Sequence, residues 1–120
     1  QSKKEIFISM GMGGNKNKIS KIFNKKKATF CYCISEYPLK IEKINWNEAK
    51  KYDGFSDHTM GILAPIVFTI LKNQRQTNKI YIEKHVKLIN SKGPDASTSI
   101  TTEQLAEMIK QIRVIEKVKI

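Results

Sequence analysis

The chain has 120 residues, 40% of them hydrophobic and 28% charged, enough to bury one core and too apolar for a wholly disordered polymer. No apolar run nears the roughly 20 residues of a bilayer-spanning helix, and the start Gln1-Ser2-Lys3-Lys4-Glu5 is not followed by a signal peptide's apolar stretch, so a cytoplasmic protein without membrane insertion is expected. The formal charge of +11 comes from lysines scattered over every segment, with Arg75 and Arg113 the only arginines, whereas nucleic-acid surfaces gather arginine forks and aromatics into a patch.

In chain order, Ile6-Phe7-Ile8-Ser9 reads as a first strand, and 16–24 as a helix with Ile19, Ile22 and Phe23 on one face. The second strand is expected over 28–34. It contains the only two cysteines, Cys31 and Cys33, whose Cys-x-Cys spacing suits neither an intrastrand disulfide nor a complete zinc site; two reduced, buried thiols lining the sheet's inner face are expected. A less regular helix spans 42–51, and a weaker third strand 52–55. The almost wholly apolar stretch 61–71 reads as a buried helix with Pro65 in its first turn. A fourth strand covers 79–86. Thr101, Glu103 and Gln104 open a last helix whose apolar stripe is Leu105, Met108, Ile109, Ile112 and Ile115.

Strands alternating with helices predict parallel β/α units. Four units fill this chain, whereas a closed (β/α)8 barrel needs eight and about 250 residues, so the expectation is an α/β fold amounting to half of a TIM barrel. Half a barrel leaves two strand edges and an inner face to be covered, either by a complementary half or by self-association.

Such barrels place chemistry at the C-terminal ends of their strands. Polar clusters stand there: Ser9 with Gly11; Ser35, Glu36 and Tyr37; Ser56, Asp57, His58 and Thr59; Glu83 with His85. His58 and His85 are the only histidines and occupy equivalent places in successive units. Adjacent strands lie about 5 Å apart, so two imidazoles there can share a divalent ion. A lone histidine at a rim is ordinarily a packing residue; the paired placement favours metal binding or catalysis. Alternation puts Ser56 on the side of His58 and Glu83 on that of His85, with Lys84 pointing away. Tyr37 is a rim aromatic or a substrate contact, Asp95 a turn residue or a functional one. The backbone of 11–14 offers N–H groups to a phosphate but lacks the rest of a P-loop.

The segments ISMGM (Ile8 to Met12), CISEYP (Cys33 to Pro38), YDGFSDHTMGI (Tyr52 to Ile62), IEKHVKL (Ile82 to Leu88) and KGPDAS (Lys92 to Ser97), with the closing IRVIEK, together resemble the N-acetylneuraminate (sialic acid) synthase family. That family also contains legionaminate, pseudaminate and spore-coat polysaccharide synthases. The resemblance runs from Ile6 nearly to the C-terminus and implies that 1–120 are the C-terminal half of the synthase barrel. The family's first four units and its antifreeze-like domain would then lie outside these residues. Met10 stands where the family usually has Thr, Gly13-Gly14-Asn15-Lys16 replaces an acidic stretch, and two connecting helices are shorter.

The resemblance implies an enzyme that condenses phosphoenolpyruvate with an N-acylated amino sugar, such as N-acetylmannosamine, to a nonulosonic acid with release of phosphate. It implies Mn²⁺ or Mg²⁺ on His58 and His85, proton transfer or sugar positioning by Glu83, phosphate contacts from Ser9 and Ser56, and sugar contacts from Ser35, Tyr37 and Asp95. Two other readings are an inactive remnant of such a synthase and a basic module for nucleic acid or another anion.

Overall fold

A computed structural model describes residues 6–10, 28–73, 79–88 and 96–118 of the chain. Four strands, β1 (Ile6–Ser9), β2 (Ala28–Tyr32), β3 (Gly54–Asp57) and β4 (Tyr81–Lys84), form one sheet in the order β1-β2-β3-β4, every neighbouring pair parallel. Parallel strands paired in sequence order, with helical segments following β2, β3 and β4, are successive β/α units of a barrel wall. The fold is the expected α/β one, part of the wall of a (β/α)8 barrel.

Register divides the side chains into two faces. Ile8 stands beside Phe30, Ser9 beside Cys31, Cys31 beside Gly54, Phe55 beside Ile82, and Ser56 beside Glu83. With a period of two, one face therefore carries Phe7, Ser9, Cys31, Gly54, Ser56, Tyr81 and Glu83. On a flat sheet β1 and β4 would stand about 14 Å apart, three strand spacings. Yet the rings of Phe7 and Tyr81 meet edge to face with centroids 4.8 Å apart, so this face is concave. Gly54 is in register with both Cys31 and Tyr81 on this face: a Cβ there would come 2.4 Å from Cys31 Sγ, so the glycine makes room for the Cys31 side chain.

The opposite face is the core. Phe55 stacks between Phe68 and Trp46, and Leu39, Ile44, Ala49 and Ala64 close the cluster, with Tyr32, Ile34, Ile80 and Ile82 against it. The covering helices are α1 (Trp46–Ala49) and α2 (Leu63–Asn73). A further helix, α3 (Thr102–Ile115), packs on α2 through Ile66, Ile100 and Met108. Its start is a full capping box: Thr101 accepts from Gln104 N–H, and the Gln104 side chain accepts from Thr101 N–H. Pro65 falls in the first turn of α2, where its missing N–H costs nothing, and Gly61 just before it adopts φ 74°, a left-handed conformation in which a Cβ would be strained.

Several expectations shift. The third strand is Gly54–Asp57 rather than 52–55, because Ser56 and Asp57 find polar partners on β4 and so stay in the sheet. The helix expected over 42–51 breaks into a 3₁₀ turn, Ile41–Lys43, and α1; Asn45 interrupts it by accepting Glu48 N–H as an N-cap. The second and fourth strands are shorter than expected, with Leu39–Thr59 and Val86–Ile100 bridges carrying the pairing onward. Ile109, placed on the buried stripe of α3 by spacing, is 44% exposed at the mouth of a cavity of about 700 Å³ bounded by α2, β4 and α3. The helix expected over 16–24 lies outside the described residues. No helix among those described is long and apolar enough to cross a membrane.

Candidate active site

At the C-terminal end of β3 and β4 the concave face turns polar. Ser56 is buried and its Oγ donates to Glu83 Oε1 at 2.6 Å, joining the two strands on the inner side. One residue beyond the Asp57–Lys84 register pair, His58 and His85 bring their rings to 6.1 Å between centroids, inclined by 30°. The three pairs share one spacing: 56 with 83, 57 with 84 and 58 with 85 are each 27 apart, which is the strand register itself.

The two imidazoles sit in different surroundings. His58 is buried, and its Nδ1 lies 2.9 Å from the Ile34 carbonyl oxygen and 3.8 Å from Cys33 Sγ. A carbonyl can only accept, so Nδ1 carries a proton and, in the neutral ring, Nε2 keeps its lone pair for a ligand. Tyr37, half exposed, lies over the same ring with centroids 4.2 Å apart. The His58 carbonyl accepts Leu39 N–H at 2.9 Å. His85 is exposed, and its backbone is held by Ile100 N–H donating to its carbonyl at 2.9 Å.

A divalent ion fits this donor set. His58, through Nε2, and His85 are the residues that would hold it, and the hydrogen bond on His58 Nδ1 is the kind of outer-shell contact that fixes a metal-binding tautomer. No group of three or more His, Cys, Asp or Glu side chains gathers among the described residues, so an ion here would rest on these two rings.

Of the other expected site residues, Ser9 is exposed at the end of β1 in register with Cys31, and Ser35 is exposed in the loop after β2. Asp95 and the glycines of 11–14 lie outside the described residues. Cys31 and Cys33 are buried free thiols; burial, and secondarily the charge of Glu83, push the Cys31 thiol up to about 11. Such a thiol stays protonated and unreactive near neutral pH.

Sequence reasoning did not find the ion pair behind the histidines. Lys84 indeed points away from the concave face, and it ends on Asp57, with Nζ to Oδ2 2.8 Å and both side chains almost wholly buried. Lys84 Nζ also donates to the Thr59 carbonyl, while Thr59 N–H donates to Asp57 Oδ1 at 2.9 Å. The signal was the common spacing of 27, which pairs Asp57 with Lys84 as it pairs the residues on either side.

Comparison with known proteins agrees with this architecture. An uncharacterized protein of Methanocaldococcus jannaschii is 40% identical over 72% of this chain and 26% of its own length. The N,N'-diacetyllegionaminic acid synthase of Campylobacter jejuni is 32% identical over 95% of this chain and 37% of its own. The chain thus spans between about a quarter and two fifths of these relatives' own length. The crystal structure of the N-acetylneuraminic acid (sialic acid) synthetase of Leptospira borgpetersenii, in complex with citrate, superposes with a TM-score of 0.75 at 26% identity, covering 94% of this chain and 42% of that one. The NeuB family profile matches residues 1–119, and the chain belongs to the NeuB family.

Proposed function

We infer that this chain supplies the metal-binding rim of a nonulosonic acid synthase, in which phosphoenolpyruvate condenses with an N-acylated amino sugar and phosphate is released. The observation that carries the reading is the meeting of His58 and His85 on adjacent parallel strand ends, above a Ser56–Glu83 pair, on the concave face of a NeuB-type barrel wall. Mn²⁺ or Mg²⁺ on the two imidazoles supplies Lewis acidity toward the sugar's aldehyde oxygen.

The chain's own residues do the rest. His58, held by the Ile34 carbonyl, presents Nε2 in a fixed direction. Glu83, exposed to the concavity and already accepting one hydrogen bond from Ser56, holds or moves a proton as carbon–carbon bond formation and water addition proceed. Ser56 has a single hydroxyl proton, which it gives to Glu83, so its contact with phosphate would be made after that hydrogen bond is exchanged. Ser9 faces the same concavity from β1 as a second phosphate contact. Tyr37 lies tilted over the His58 ring and, with Ser35 and Asp95, would meet the sugar.

The remaining wall of the barrel must come from further polypeptide, either the complementary N-terminal half or a second copy. The open cavity beside β4, lined by Ile80, Ile82, Ile109 and Ile112, is where such polypeptide would pack. The test is metal-dependent phosphate release from phosphoenolpyruvate and N-acetylmannosamine, with the chain alone and mixed with the N-terminal half-barrel of the Campylobacter relative. Release that needs Mn²⁺, the sugar and His85 supports the synthase. A mixture that binds metal yet never releases phosphate supports an inactive remnant.

A further inference from the structure

We propose that the buried Asp57–Lys84 ion pair is the positioning element of the His58–His85 centre, locking the ends of β3 and β4 in the one register that brings the two imidazoles together. The inference rests on the reading that the two rings act as a pair.

The pair lies on the opposite side of the strands from the imidazoles, and each member immediately precedes a histidine in the chain. Asp57 reaches both ways, with Oδ2 to Lys84 Nζ on the next strand and Oδ1 to Thr59 N–H, so its carboxylate brackets the backbone of His58. Lys84 Nζ closes the ring by donating to the Thr59 carbonyl. On the concave side the Ser56–Glu83 hydrogen bond ties the preceding register pair at 2.6 Å. Two consecutive residues of each strand are thus tied to their partners, one pair above the sheet and one below. A slip of β4 by one residue would send His85 to the wrong face, carry Lys84 away from Asp57 and leave the Asp57 carboxylate unpaired in the core.

Stability alone is a weak reason for such a pair. Taking two ions fully out of water costs about as much as their attraction returns, and well-packed apolar side chains of similar volume usually serve folding as well or better. What an ion pair adds is a single permitted arrangement, and the side chains next in line beyond the Asp57–Lys84 register pair are the two rings.

The experiment replaces the pair by Asp57→Asn/Lys84→Met, which keeps volume and an acceptor for Thr59 N–H, and in parallel by Asp57→Leu/Lys84→Met. Folding is followed by circular dichroism, Mn²⁺ affinity by calorimetry, and the His58 ring by its imidazole ¹⁵N resonances. The expected result is a folded chain whose Mn²⁺ affinity falls about tenfold or more, the range for lost outer-shell support, and whose His58 no longer shows a single Nδ1–H form. A folded variant with unchanged His58 resonances and unchanged Mn²⁺ affinity overturns the proposal. So does failure of both variants to fold, which would make the pair a requirement of the fold alone. Should the unsubstituted chain take up no Mn²⁺, the metal reading fails, while the His58 resonances in the folded variants still decide the positioning claim.

Discussion

The two strands that carry the histidines are built differently. All four residues of β3 are buried, its Phe55 lies at the centre of an aromatic stack, and the ring of His58 at its end is held through Nδ1. On β4, by contrast, Tyr81 and Ile82 are half buried and Glu83 is exposed, only the Lys84 side chain being deeply buried, and His85 at its end is open to solvent on the edge of the sheet. One imidazole is therefore preorganised by this chain, and the other depends on its strand being kept in place. The contrast teaches that a site built between two strands can be rigid on the strand embedded in the core and open on the strand at the sheet's edge.

The sharpest way to break this comparison is at one register pair. Phe55→Ala should cost about 3–5 kcal/mol in urea unfolding, whereas Ile82→Ala, directly across from it, should cost about 1–2 kcal/mol because part of its surface is already hydrated. Equal losses would mean that β4 is as deeply embedded as β3. The histidines come next: His58→Ala removes a buried ring and its hydrogen bond to the Ile34 carbonyl, which keeps Glu36 N–H, and should destabilise by about 1–3 kcal/mol, while His85→Ala should stay within about 0.5 kcal/mol. Thermal unfolding of the two variants side by side measures the difference.

Thr101→Ala removes the capping box of α3, the helix beside the β4 edge, and should lower stability by about 1 kcal/mol. The smallest effect is chemical. Because burial raises the Cys31 thiol to about 11 from 9.0, its folded-state proton is the more tightly held one. Its contribution to stability is complete below pH 9.0 and is lost as pH rises toward about 11. Iodoacetamide at pH 8 should accordingly label Cys31 only on unfolding, seen by peptide mass mapping; rapid labelling of the native chain would place that thiol in the open.

Much of this architecture is written in local pattern. The alternation of strand and helix, the Thr101 cap and the placement of Pro65 follow from residues near one another in the chain. So does the sidedness of Ser56, His58, Glu83 and Lys84, which needs only a period of two. What was hidden depends on contacts across units. Ser56 and Asp57 look like loop residues until Glu83 and Lys84, 27 positions later, provide hydrogen bonds that make them strand. Asn45 looks like a helix-interior residue until its side chain is seen capping Glu48 N–H. Ile109 obeys the helical stripe, but the surface it would bury against is an open cavity.

The central claim is that His58 and His85 form one metal centre, and calorimetric titration of Mn²⁺ into the chain and into its His58→Ala and His85→Ala variants tests it most directly. The account predicts a single site in the unsubstituted chain and its loss in both variants, with the His85→Ala protein as stable as its parent. A folded chain that binds no Mn²⁺, or binding that survives either substitution, would contradict it.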